Sequence, residues 1–169
     1  MAGDSNRTRQ ATMIMQLTRR QFDFGYEGDA SVITHPRLRA LYDLWQDKRG
    51  SRQAPSRRDF AVEELKPWFG HLMVLDCLED DSFRYRLYGT ELARMFGFDL
   101  TGHTVDSVAD RIGPRPDAEY RQVRRIGAPL HVSRSSPSAK DYLLVDKLAL
   151  PLMEAGEVTK ILAAIYPSP

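Results

Sequence analysis

In FDLTGHTVDSV one imidazole stands between two carboxylates, and Asp99, His103 and Asp106 are the residue types of general acid and base work. A carboxylate there could orient the ring so that its far nitrogen takes a proton. No nucleophile is marked out beside them, and an enzyme is not expected. A second chemistry is suggested by RYRLYGTELARMF, where a strand runs through Gly89-Thr90 into a helix, as a phosphate-cradling loop does. Such a loop needs several glycines, so that successive N–H groups converge on phosphate, and a Lys-Ser/Thr pair for the outer phosphates and their metal. Gly89-Thr90-Glu91-Leu92 has one glycine, no lysine and a carboxylate of the wrong charge. The phosphate reading fails on chemistry, and Gly89-Thr90 reads as a strand-to-helix corner, with Thr90 as the helix cap. Arg84 and Arg86, two residues apart, could clamp an anion; the favoured reading is that they meet acids on a sheet face. His35, His71, His103 and His131 are scattered, none at metal-ligand spacing from another His or Cys. Cys77 alternates with Leu75 and Leu78 as a small buried hydrophobe would, with no basic neighbour in sequence to lower its pKa.

Bulk properties narrow the partners. Twenty-four Lys and Arg against twenty-three Asp and Glu leave a formal charge of +1, so no overall field draws the chain to nucleic acid or an anionic membrane. The basic clusters Arg52, Arg57, Arg58 and Arg121, Arg124, Arg125 lack interleaved aromatics or face away from an ordinary apolar stripe, and read as solvated. One cysteine excludes an internal disulfide framework, and ATMIMQLTRRQFDF is too broken for a signal peptide. A soluble, cytoplasmic protein is expected.

The elements that must position these residues follow from periodicity. Residues 1–34 read as a mobile arm, in which Met13 to Leu17 could pair as an extra strand or helix, and 35–166 as a single domain. The clearest helix is 36–49, with Pro36 in its first turn and Leu38, Leu41, Tyr42 and Trp45 at helical spacing. That stripe packs either on its own domain or on a second subunit. A period of two then marks LMVLDCLE and FRYRLY as a hairpin, and PLHVSRS, DYLLVDKLALPLM and VTKILAAIYP as three more strands. Between them lie ELARMF, HTVDSVADRIG and RPDAEYRQVRRIG, three helical pieces. Strands at both ends of a helical middle, joined by hairpin-length turns, predict an α+β domain with an antiparallel sheet.

FRYRLYGTELARMFGFDLTGHTVDSV resembles the signature of a bacterial PAS-type family, in which a strand ending R-L-x-G-T leads to a short helix and then G-x-D-L-T-G. HPRLRALYDLWQDKRG and APSRRDF…EELKPWFGHLMVLD are similar to that family's leading segment. The resemblance implies a five-stranded antiparallel sheet in PAS order, short helices on one face with an N-terminal helical extension, and a pocket between helices and sheet. It also implies a sensory module, commonly dimeric, that binds a small molecule and signals to an effector. The flavin-binding subclass carries its reactive cysteine on the central helix, whereas Cys77 is on the first strand, so flavin photochemistry is not expected. Nothing specifies a haem ligand, and the cofactor stays unassigned. Output is expected through a separate effector or through dimerisation.

The resulting expectation is a non-enzymatic regulatory module with a pocket for a small apolar ligand lined by Tyr85, Leu87, Met95, Phe96, His103, Val132 and Leu144. Leu38, Leu41, Tyr42 and Trp45 are the candidates for a homodimer or partner contact. The alternatives are a pure interaction module whose pocket is filled by its own side chains, and a small acid/base enzyme using His103.

Overall fold

The structure, a computed structural model, describes residues 33–138 and 142–169. The arm expected over 1–34, with Met13 to Leu17, lies outside the described residues except for its last two positions. Helix α1, Pro36–Arg49, begins on a proline whose missing N–H costs nothing in a first turn, and the His35 ring accepts a hydrogen bond from the Arg37 amide at 3.2 Å. Short turns at Arg57–Asp59 and Lys66–His71, with helix α2 at Val62–Leu65 between them, lead to the sheet. Ser56 and Asp59 cap the first of these turns reciprocally.

Strands β1 (Leu72–Cys77), β2 (Phe83–Tyr88), β3 (Leu130–Pro137), β4 (Tyr142–Glu154) and β5 (Glu157–Pro167) form one antiparallel sheet in the order β2-β1-β5-β4-β3. Between β2 and β3 run α3 (Thr90–Phe96), a short turn at Asp106–Val108, α4 (Ala109–Ile112) and α5 (Arg115–Ile126). The β4–β5 hairpin turns on Ala155 and Gly156, both at positive φ (50° and 80°), the geometry whose twist matches that of the flanking strands.

Both faces of the sheet are covered, which is why its central strands read as near-continuous apolar runs. One face carries α3 to α5 over Met73, Leu75, Ala149, Ile161 and Ala163. The other carries α1 over Leu72, Val74, Leu148, Leu150 and Leu162. Leu38, Leu41, Tyr42 and Trp45 are all buried in this second core, and the Trp45 indole N–H donates to the Pro151 carbonyl at 2.9 Å. These four residues, expected at a dimer or partner contact, are spent within the chain. An amphipathic stripe has the same pattern for either destination, and the uncovered sheet face decided between them.

The corner at Gly89 is built differently from the expectation. Gly89 has φ −63° and ψ 145°, a conformation open to any residue, and Thr90 is already inside α3 with no side-chain cap. What excludes a side chain is close approach: a Cβ on Gly89 would stand 2.2 Å from the Gly70 carbonyl oxygen and 2.9 Å from that of Phe69. Both walls are backbone, so neither can rotate aside. Gly89→Ala is expected to lower the unfolding free energy by about 1–3 kcal/mol, read as a lower urea midpoint at unchanged m-value.

Candidate functional site

A cavity of about 60 Å³ lies between the sheet and the helical layer, walled by β1, β2, β3, β4 and β5 on one side and by α3 to α5 with their connections on the other. Two strands supply its charged floor, and a helix supplies their counter-charge. Period-two alternation turns Val145, Lys147 and Ala149 of β4 toward the cavity and leaves Asp146 and Leu148 on the α1 side. Arg134 of β3 faces the same space. Behind them, outside the cavity wall, α5 places Glu119, which is 7 % exposed.

These three charges meet. Glu119 accepts a hydrogen bond from Lys147 Nζ at 2.8 Å through Oε2 and one from Arg134 Nη1 through Oε1. Lys147 Nζ lies 3.9 Å from the Tyr120 ring centroid, a cation held over an aromatic face. Tyr85 packs edge-on against Tyr88 at 5.6 Å and against Tyr120 at 6.4 Å. Burial raises Tyr85 and Tyr120 well above the ordinary phenol range. It pushes Lys147 down to about 7, with the Arg134 charge adding to the effect, while Tyr85 pulls the other way.

Of the seven residues expected to line a pocket, Tyr85 and Phe96 do so. Met95 and Val132 are partly buried against the same core without reaching the cavity wall. Leu87 does not point inward: the β1–β2 register shifts between Val74 and Leu75, so that Leu75 faces Tyr85 and Met73 faces Tyr88, with Arg86 as the extra residue. That bulge puts Tyr88 in the wall and leaves Leu87 41 % exposed. Leu144 shares its face with Asp146 and Leu148, beyond the reach of α1, and is 57 % exposed. His103 is exposed and is not in the wall.

The acid/base constellation is not assembled either. Asp99 spends one oxygen on the Thr101 amide and hydroxyl, at 2.9 and 2.7 Å, and those bonds hold its carboxyl below the usual range. Asp106 turns to the Ser107 amide. Arg86 pairs with Asp76 at 2.8 Å as the sheet-face reading expected. Among the described residues no group of three or more His, Cys, Asp or Glu gathers to hold a metal, and none of the four histidines lines the cavity. Cys77 lies outside the wall as well, which does not fit a cysteine-linked flavin. Burial pushes its thiol up to about 11. At about pH 8 it should hold roughly a hundredth of an ordinary cysteine's thiolate, so iodoacetamide should label native protein about a hundredfold more slowly than the chain unfolded in guanidinium.

The missed residues Glu119, Arg134 and Lys147 had one legible signal, a lysine set in the apolar run YLLVDKLALPLM of a strand buried on both faces. The family model for the PAS domain matches residues 33–165. The chain belongs to the PAS domain family. Among solved structures, this PAS domain is similar to the light-state structure of the blue-light photoreceptor Aureochrome1 LOV, at 11 % identity and TM-score 0.46, over 65 % of this chain and 90 % of that one. It is also similar to an RNA-binding Light-Oxygen-Voltage receptor, at 19 % identity and TM-score 0.42 over 57 % of this chain, spanning 28 % of that receptor's length. No curated protein matches the sequence. Among the described residues of the PAS domain no helix is long and apolar enough to cross a membrane.

Proposed function

We propose that this PAS domain is a non-enzymatic sensory or regulatory module that responds to a small molecule held between its sheet and its helical layer. The observation that carries this reading is the composition of the cavity's outer wall. Helices α3 and α4 are seven and four residues long, too short to be stable alone, so they depend on what they pack against. A ligand that favours one arrangement of these pieces shifts their population by its differential affinity, and so changes the surface they present. Output then passes to a second copy or to a separate effector, in the cytoplasm, with no role for nucleic acid or a membrane. Any homodimer contact has to form without the buried stripe of α1.

The test is native mass spectrometry and hydrogen exchange of the freshly purified chain against a panel of small molecules. A bound mass, with slower exchange over 90–112, is expected. A panel in which no compound changes either reading would remove the proposal.

One observation favours a second reading, an interaction module with a filled pocket. The cavity of about 60 Å³ is well below the ~300–1,000 Å³ of ordinary ligand sites. That reading expects no ligand effect, together with self-association or effector binding in sedimentation that is indifferent to the panel.

A further inference from the structure

The cations around the cavity outnumber the acids that answer them. Arg134 and Lys147 share the single carboxylate of Glu119. Arg111, over Phe98 at the same cavity, is exposed and answered by solvent, so the excess rests on Arg134 and Lys147. Buried charges ordinarily find partners, because desolvation without one is costly. The donors are also in surplus. Lys147 has three N–H groups: one reaches Glu119, the ammonium faces the Tyr120 ring, and no other described residue accepts from it. Arg134 gives Nη1 to Glu119 and Nε to Ser136 at 3.4 Å, and no described residue accepts from its second terminal nitrogen.

The remaining wall is of a different kind. Met73, Phe96 and Ile165 are apolar, and the Tyr88 ring stands beside them. A cavity of about 60 Å³ has room for roughly four to six water-sized groups. The space therefore suits a molecule that is anionic at one end, apolar at the other and short. Inorganic phosphate would satisfy the donors but would leave the apolar wall against a hydrated dianion. A neutral alcohol would satisfy the wall and leave the charge excess unanswered.

We propose that the cavity is a receptor site for a short-chain monocarboxylate of roughly three or four carbons, its carboxylate held by Arg134 and Lys147 and its alkyl tail against Met73, Phe96 and Ile165. The proposal rests on the reading of this cavity as the responsive site. Ligand entry would complete the ion pairing of the floor and pack under α3, joining the charge of the ligand to the position of the helix.

The experiment compares butyrate with butyramide, its neutral isostere, on the full chain by calorimetric titration and thermal unfolding, with phosphate and chloride at matched ionic strength. Butyrate is expected to bind at least about tenfold more tightly than butyramide, since a hydrogen bond to a charged group contributes more than a neutral one. Phosphate and chloride should leave the melting temperature where it was. Lys147→Met, close in volume and free of charge, should keep the circular dichroism spectrum and lose butyrate affinity by about tenfold or more. Arg134→Gln gives the same reading should the first variant fold poorly. Equal affinity for butyrate and butyramide, or undiminished butyrate binding by both variants, would overturn the carboxylate assignment while leaving a ligand cavity in place. Butyrate failing to bind while another compound of the panel does would overturn it too. Failure of every compound would remove the cavity reading along with it.

Discussion

Replacing Glu119 with Ala should lower the unfolding free energy by about 3–5 kcal/mol, because it strands the buried Arg134 cation and forces Lys147, already depressed to about 7, to give up its proton. Lys147 is 3 % exposed and Glu119 7 %, so bulk water does not reach either end, and water confined in the cavity carries no charge to replace the lost carboxylate. The loss should appear in urea unfolding as a lower midpoint with little change in m-value. The arrangement of the cluster predicts a sharper result in combination. In a background already carrying Lys147→Met and Arg134→Met, the same Glu119→Ala change should cost far less, since no buried cation remains to be stranded. Equal costs in the two backgrounds would mean that Glu119 matters through packing of α5 and not through charge.

Trp45→Ala should cost a similar amount, about 3–5 kcal/mol, through loss of a large buried ring. The indole fills the core between α1 and the sheet, donates to Pro151 across the strand β4 backbone, and carries the Arg49 guanidinium over its face at 5.6 Å. This outcome separates a helix packed in cis from one that meets a second subunit. A dimer contact would give a folded monomer on substitution, whereas the cis core gives a less stable chain at every protein concentration. Leu41→Asp, in the same stripe, should unfold the domain outright by placing an unpaired carboxylate among Leu72, Leu148 and Leu162.

Much of the architecture was legible because its signals are local. The shift from a helical period to a period of two at Leu72, the hairpin turns, and Gly127 past the end of α5 at φ 68° each lie within a few residues of the structure they specify. The site was far less legible. Alternation and helical spacing point to Tyr85 and Phe96, but strict alternation also turns Leu87 inward, because it cannot see the extra residue at Arg86. Leu144 stands on the other face; apolar character alone does not say which face of a doubly covered sheet a strand residue meets. His103, expected in the pocket wall, sits in an exposed turn paired to the edge strand, with the Tyr85 amide donating to its carbonyl at 3.0 Å.

The sequence by itself determined the order of elements, the antiparallel α+β class and the failure of Gly89-Thr90 as a phosphate loop, since each depends on side-chain types at neighbouring positions. Only the tertiary structure decided that α1 covers the second sheet face, that Gly89 is required by the approach of the Gly70 backbone, and that Glu119, Arg134 and Lys147 converge under the helices. The physical reason is separation along the chain: Glu119 and Lys147 stand 28 residues apart, and only the pairing of β3 with β4 and the docking of α5 bring their charges within a hydrogen bond.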